Sequence, residues 1–148
     1  DELTHPCPGA IITQHWGQNA ADYAQFGMWG HNGTDLAAPA GTPVFAIAPG
    51  IVAFVGEDAD YGIYARIYHP RLACHSFYAH LTTRTAAPGT LIEPGQQIGT
   101  VGSTGNSTGP HLHFEIRLGA LANYQNGTPM GKGRIDPETF FAIHGGKL

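Results

Sequence analysis

Charged residues are scarce in this chain, and the basic ones form no cluster. Of its 148 residues, 12% are Asp, Glu, Lys or Arg, against roughly 25% in an average soluble domain. The seven Lys and Arg residues are scattered and the formal net charge is -4, which argues against a nucleic-acid interface. No apolar run approaches the roughly 20 residues of a membrane-spanning helix, so we expect no membrane span.

Markers of cellular location are also few. The chain begins DELTH, without the basic segment and apolar core of a signal peptide. We therefore expect a mature or trimmed form, or a protein that is exported by another route. Two cysteines, Cys7 and Cys74, are available for a disulfide. A bridge between them and two buried thiols fit the sequence equally well, because cysteine count alone does not fix pairing.

Glycine and proline are abundant, with 21 and 11 residues. This composition favours short strands joined by turns over long helices. Residues 1–30 show no clean period and predict an N-terminal strand followed by a long loop. The sequence predicts strands at 11–13, 42–47, 51–55, 61–68, 74–81, 97–101 and 111–118.

The C-terminal part predicts one short helix after a loop. Residues 119–133 are loop-like, whereas Asp136–Ile143 suits a helix with Asp136 as N-cap and Pro137 at the first helical position. No low-complexity linker divides the chain. We therefore expect a single domain over residues 1–148, an all-β fold that forms a compact antiparallel sandwich or barrel.

Histidine is in excess, with nine residues, and it is the commonest metal ligand in proteins. In the last predicted strand, alternation places His111 and His113 on one face together with Glu115 and Arg117. The glycine-rich segment 102–109 before them leaves room for a ligand to approach closely. Two interpretations stay open at this point: a functional histidine pair, or a polar row that faces solvent.

A second candidate is the segment Gly30–Asp35, in which His31 and Asp35 lie four residues apart. Its glycines favour a bent loop, which can turn an imidazole and a carboxylate toward one zinc ion. An aspartate that caps a turn beside an exposed histidine explains the spacing as well. His80 lies at the end of an apolar strand, and taken alone it does not indicate a functional site. His75 would face the opposite side of that strand unless a bulge intervenes.

These side chains together can form a catalytic zinc site. Such a site takes three protein ligands and leaves one position for water. His31, Asp35 and one histidine of the pair at 111 and 113 supply three ligands, and the other histidine and His80 remain nearby. Zinc polarises a carbonyl and lowers the pKa of water from about 16 toward 7. Neighbouring imidazoles can orient that water, move its proton and hold the developing oxyanion.

The same residues belong to three longer motifs. The motifs are HNGTD at 31–35, YAH at 78–80 and GPHLHFE at 109–115, with the flanks DLAAPAGTPV at 35–44 and IEPGQQIGTVGSTG at 92–105. In order, spacing and flanks they resemble the M23 family of zinc metallopeptidases, the LytM/lysostaphin-type endopeptidases that cut peptidoglycan peptides. The similarity covers roughly residues 11–118, so residues 119–148 form a C-terminal extension outside the pattern.

The resemblance implies a role for each matching residue. It implies one zinc ion bound by His31, Asp35 and His113, with His80 and His111 as the catalytic pair. The loop before His111 would line the substrate groove through Asn106, Ser107 and Thr108. The implied function is a zinc endopeptidase that hydrolyses peptidoglycan stem or cross-bridge peptides. We expect it to act as a monomer, outside the cell or in the periplasm and cell envelope.

Three alternatives use the same features differently. Segments 42–56 and 90–102 resemble the half-motifs of a biotinyl or lipoyl carrier domain, but no lysine precedes Lys132, and a carrier needs one on a hairpin tip. That similarity reflects a shared β-sandwich built from a duplicated hybrid motif. A cupin also uses His-x-His, yet leaves the other two motifs unexplained. A catalytically silent wall-binding or amidase-activator module is the remaining alternative, and the intact set of ligands argues against it.

Overall fold

The computed structural model describes residues 2–26, 30–85, 87–119 and 133–148. The strands are β1 (Ile11–Gln14), β2 (Thr34–Ala37), β3 (Pro43–Phe45), β4 (Gly50–Asp58), β5 (Gly62–His69), β6 (Cys74–Arg84), β7 (Leu91–Ile92), β8 (Gln97–Val101), β9 (His111–Leu118) and β10 (Arg134–Ile135). The helices are α1 (Ala20–Tyr23) and α2 (Pro137–Ile143), and 3-10 turns cover Ala24–Phe26 and Pro70–Leu72. No helix among these residues is long and apolar enough to cross a membrane.

The strands join into one antiparallel sheet. Its order is β1-β2-β9-β6-β5-β4-β7, with β10 paired to β9 and with β8 paired to both β3 and β6. The predicted antiparallel β architecture with a short C-terminal helix is confirmed. Over the described residues the sheet stays open instead of closing into a barrel.

Strand β9 lies between β2 and β6, and its side chains point alternately to the two faces of the sheet. Its apolar side chains are fully buried in the main core, namely Leu112, Phe114 and Ile116. The interpretation of the other face as a solvent-facing row is wrong, because Glu115 and Arg117 are also 0% exposed. That face is therefore closed to water at Glu115 and Arg117, whereas His111 at the start of the strand is only partly buried. Leu118 ends the strand and is partly exposed at 39%.

Several elements differ from those that the sequence predicts. Asp35, predicted to lie in a bent loop, lies in β2, which is held by pairing with β1 on one side and β9 on the other. The strand predicted at 51–55 is longer in the structure, because β4 continues to Asp58 through a long hairpin with β5. Short elements such as β7, β10 and α1 have too few residues to show a period. The loop predicted at 119–133 lies mostly outside the described residues.

Strand β6 changes its partner halfway along. Residues Cys74–Ala79 pair with β9, whereas Leu81–Arg84 pair with β8. At the junction, Ile63 and Ala65 of β5 pair with Leu81 and Tyr78, so that β6 contains one extra residue. This is a β-bulge, and it shifts the side chains that follow to the other face.

Helix α2 begins as the sequence predicts. The Asp136 carboxylate accepts a hydrogen bond of 2.9 Å from the backbone N–H of Glu138, and Pro137 occupies the first turn. Phe140 and Phe141 are buried against the sheet. Because this helix adds to the same core, we retain the prediction of a single domain over residues 1–148.

The two cysteines are buried as free thiols in the main core. Of the two arrangements that the sequence allows, the structure therefore has two thiols and no bridge. Burial raises the pKa of both groups, to about 12 for Cys74. Both thiols stay protonated at neutral pH and act as small apolar side chains.

His75 is expected to make the fold less stable in acid. Burial, with the positive charges of Arg66 and Arg117, lowers its pKa from 6.5 to about 4. The unfolded chain therefore takes up this proton first as the pH falls. The free energy of unfolding should decrease between pH 6.5 and 4 by at most about 1.4 kcal/mol per pH unit for this group.

Denaturant unfolding at several pH values tests this expectation. The other buried histidines titrate in the wild type and in a His75→Gln variant alike. The variant should therefore lose less stability than the wild type between pH 6.5 and 4. Equal slopes for the variant and the wild type would show that His75 does not contribute.

Candidate active site

The side chains that the sequence singles out lie along one cleft of about 430 Å³. Those that line it are His31, Asp35, His80, Asn106, Ser107, Thr108, His111 and His113. They come from the loop before β2, from β2 itself, from the bulge in β6, and from the loop before β9 and the start of that strand. The fold therefore brings together three motifs that are far apart in sequence.

Three donor atoms converge at the floor of this cleft. His113 Nδ1 lies 2.9 Å from Asp35 Oδ1 and 3.1 Å from His31 Nε2, and the last two atoms are 3.2 Å apart. Tetrahedral zinc with bonds of about 2.0–2.1 Å places neighbouring donors about 3.3 Å apart. Two imidazole nitrogens and one carboxylate oxygen are also donors that zinc prefers. The group therefore fits a zinc ion with a fourth position open.

Strand pairing and glycine place these donors. Asp35 is the direct cross-strand partner of His113, so both side chains leave the same face of the sheet. A Cβ on Gly33 would lie 2.4 Å from the Phe114 carbonyl oxygen, which means that only glycine lets the loop lie this close to β9. The loop is fixed further by the hydrogen bond of 2.8 Å from the Gly17 N–H to the His31 carbonyl.

Hydrogen bonds fix which nitrogen of each ring faces the metal position. His31 Nδ1–H donates to the His15 carbonyl oxygen at 3.3 Å, which leaves Nε2 as the donor atom toward a metal. His113 Nε2–H donates to Glu115 Oε2 at 2.8 Å, which leaves Nδ1 for the same role. Such outer partners commonly set the orientation of histidine ligands.

The charges of the group are strongly coupled. Burial raises the pKa of the Asp35 carboxyl, but hydrogen bonds with His113 and His31 outweigh burial and hold it well below its usual range. Burial lowers the pKa of His113, but hydrogen bonds with Asp35 and Glu115 raise it to about 9. At neutral pH this is an ion pair, and a metal cation competes with the proton on Nδ1.

The bulge in β6 places His80 in the cleft. His80 has a φ of 61°, in the left-handed region that is unusual for a histidine. Its Nδ1–H donates to the Thr104 carbonyl oxygen at 2.7 Å, so Nε2 is the nitrogen left unprotonated. Burial, followed by the charge of His113, lowers the pKa of His80 to about 4. The ring is therefore neutral at pH 7 and able to accept a proton.

His111 faces His80 across the cleft, with ring centroids 4.7 Å apart. Its Nδ1–H donates to the Gly109 carbonyl oxygen at 2.9 Å. Its Nε2 lies 3.7 Å from Asp35 Oδ2. His80 and His111 are thus held alike, each through Nδ1 on a backbone carbonyl, beside the three converging donors.

His75 stays out of the cleft, although the bulge exists. It pairs with Arg117, so it lies on the same face of the sheet as His113. Its ring packs instead against Tyr68, at a centroid distance of 5.1 Å. The position of His75 agrees with the prediction that it is not in the site with His80. The reason differs: His75 lies too far along the strand from the cleft, and not on the opposite face.

The structure adds cleft residues that sequence reasoning missed. They are Gln14, Tyr23, Asn32, Asp60 and Tyr61. Asn32 Nδ2 donates to the Tyr61 hydroxyl at 2.9 Å, and the Tyr61 ring lies 5.5 Å from that of His113. Asn32 sits inside the first motif, which is the one signal that could have found it. The other four come from segments with no motif of their own.

Comparison with known proteins places this arrangement in a family. The sequence model of peptidase family M23 matches residues 29–130. The chain belongs to peptidase family M23. Two relatives are the DD-carboxypeptidase/endopeptidase Mpg of Neisseria meningitidis, 48% identical over 88 residues, and the peptidoglycan DD-endopeptidase ShyC of Vibrio cholerae, 40% identical over 91 residues. These alignments cover 60% and 62% of this chain, and 20% and 21% of the relatives.

The M23 chain also resembles solved structures. A zinc-containing peptidase from Vibrio cholerae is 32% identical, with a TM-score of 0.68 over 78% of this chain and 36% of that one. The chain spans about one fifth of the length of the curated relatives it matches. The family and its fold are therefore shown, whereas the roles of the individual site residues stay predictions.

Proposed function

We propose that this protein is a zinc-dependent endopeptidase that hydrolyses peptide bonds in bacterial peptidoglycan. The observation that carries the proposal is the convergence of His31 Nε2, Asp35 Oδ1 and His113 Nδ1 beside two further imidazoles, those of His80 and His111. Membership in family M23 supports the same reaction. The complete set of donors argues against a silent wall-binding or activator module.

We assign the three converging atoms to one zinc ion. When bound, zinc supplies Lewis acidity toward a peptide carbonyl and makes water a nucleophile near neutral pH. The ring orientations of His31 and His113 leave their donor nitrogens unprotonated toward that position once the Nδ1 proton of His113 has left. Asp35 adds a negative charge that partly neutralises the cation.

His80 and His111 transfer a proton and stabilise the charge that develops at the scissile bond. His80 Nε2 is unprotonated at neutral pH and accepts a proton from the attacking water. In its doubly protonated form, His111 keeps Nδ1–H on the Gly109 carbonyl oxygen and donates Nε2–H to the developing oxyanion from the opposite side of the cleft. Both rings are fixed through Nδ1 before substrate binds, which reduces the cost of orienting them.

We propose that the peptide lies across Asn106, Ser107 and Thr108, and that the bond cut joins two D-residues. The loop residues border the cleft beside His111, where they can bind a peptide backbone. One relative is named a DD-carboxypeptidase/endopeptidase and another a peptidoglycan DD-endopeptidase, which supports this bond over a glycine bridge. We further propose that the protein acts as a monomer at the cell envelope, where peptidoglycan lies.

Chelation of the metal is expected to stop the digestion of purified peptidoglycan, and added zinc to restore it. Removing zinc removes the Lewis acid, so the rate should fall below about 1% of the starting value. Product masses from defined cross-linked muropeptides would identify the bond, with glycine-bridged substrates as the comparison. A chelated, metal-free protein that digests at the full rate would rule out the metal mechanism. Zinc binding without any cleavage would favour the silent module.

A further inference from the structure

We propose that Glu115 and Arg134 are positioning residues for the zinc ligand His113. Glu115 lies two residues after His113 on the same face of β9. Arg134 belongs to β10 in the C-terminal segment, beyond the residues 29–130 that match the family. The inference rests on the proposed zinc function. It goes further, because it makes the C-terminal segment part of the support of the metal centre.

The contacts form a buried chain of charge-assisted hydrogen bonds. Glu115 Oε2 accepts the Nε2–H of His113 at 2.8 Å. Glu115 Oε1 accepts the Nε–H of Arg117 at 2.9 Å and that of Arg134 at 2.8 Å. The side chains of Glu115 and both arginines are fully buried. Each carboxylate oxygen therefore has a fixed donor, and the carboxylate has little freedom to turn.

This chain selects one orientation of the His113 ring. An imidazole can present either nitrogen to a metal, but a carboxylate only accepts hydrogen bonds. With Nε2–H committed to Glu115, the ring presents Nδ1 to Asp35 and His31. A ring turned over would lose the bond to Glu115 in a site closed to water, where an unpaired polar group is costly.

Arg134 adds a second donor to Glu115 Oε1, opposite Arg117, and so restrains the carboxylate from turning. Arg134 and Arg117 are direct cross-strand partners in the β10–β9 pair. Two like charges opposite each other are unfavourable, and Glu115 lies between them as the shared counter-ion. Without Arg134, the Glu115 carboxylate keeps one arginine and can rotate toward it, which loosens its hold on His113.

The control residue is Arg66, which matches Arg134 in whole-residue exposure, at 7% and 6%. Arg66 packs over the ring of Phe54 on a neighbouring strand. An Arg66→Met variant therefore removes a buried guanidinium without touching the Glu115 carboxylate. An Arg134→Lys variant keeps the charge of Arg134 but changes its geometry.

The test measures zinc affinity by competition with a chromophoric chelator, using the full chain. We expect Arg134→Met to weaken zinc binding about 10- to 100-fold, Arg134→Lys to recover part of that loss, and Arg66→Met to bind within about twofold of the wild type. The double variant Glu115→Gln/Arg134→Met keeps the charge balance and should bind at least as weakly as Arg134→Met. In the metal-free protein, ¹⁵N NMR should detect a protected Nε2–H on His113 that is lost or averaged in the double variant.

The outcomes separate the inference from the proposed function. A wild-type protein that does not bind zinc would reject the zinc function itself. A wild type that binds zinc, with Arg134→Met and the double variant binding as tightly while folded, would overturn the positioning role. Equal weakening by Arg66→Met would overturn it too, because the effect would then be a general loss of buried charge.

Discussion

A His113→Ala variant is expected to lose its zinc and to cleave peptidoglycan at least about 10³-fold more slowly than the wild type. His113 supplies the donor nearest to both other ligands, at 2.9 Å from Asp35 and 3.1 Å from His31. Alanine offers no replacement atom. A metal ion contributes several kcal/mol to transition-state stabilisation, and about 4 kcal/mol corresponds to about 10³-fold in rate.

A matched control separates metal loss from loss of a buried ring. His75 is buried as fully as His113, at 3% against 4% exposed, but packs against Tyr68 away from the cleft. His75→Ala should therefore keep its zinc and its cleavage rate, as measured by metal analysis and peptidoglycan digestion. A folded His113→Ala protein that clears peptidoglycan as fast as the wild type would refute the assignment of this ligand.

The strands with a clear alternating pattern could be predicted from the sequence. The predicted bounds of β8 and β9 agree with the structure. Glycine or proline borders both strands, and β9 also alternates cleanly. Strand β2 was missed because its four residues follow a glycine-rich loop, and pairing on both sides holds it in place. Pairing of this kind connects distant segments and leaves no local signal.

The motifs and the family resemblance were enough to predict that the candidate site residues share one cleft. They did not predict the residues and the bulge that hold those side chains in place. Period-two alternation puts Glu115 on the face of His113, yet nothing in the pattern says that this face is buried. Arg134 comes from a two-residue strand with no period at all. The bulge that turns His80 into the cleft likewise depends on the change of partner along β6, which only the assembled sheet reveals.

Replacing His80 is expected to reduce the rate of cleavage about 10²- to 10⁴-fold while zinc stays bound. This range is typical for the loss of a general base or acid. His80 is outside the three converging donors, so the metal position should be preserved. Because its pKa lies at about 4, the wild-type ring is neutral at pH 7 and ready to accept a proton. Steady-state kinetics should therefore show a fall in kcat.

The choice of substitution decides whether this result reports on chemistry. His80 has a φ of 61°, and a non-glycine residue in the left-handed region costs about 1–3 kcal/mol unless it tolerates that conformation. Alanine would add a backbone effect to the loss of the ring, whereas asparagine adopts this region readily. We therefore expect His80→Asn to match the wild type in Tm and zinc content but not in kcat. An asparagine variant with the wild-type rate would assign proton transfer to His111 instead, because that is the other imidazole facing the same space.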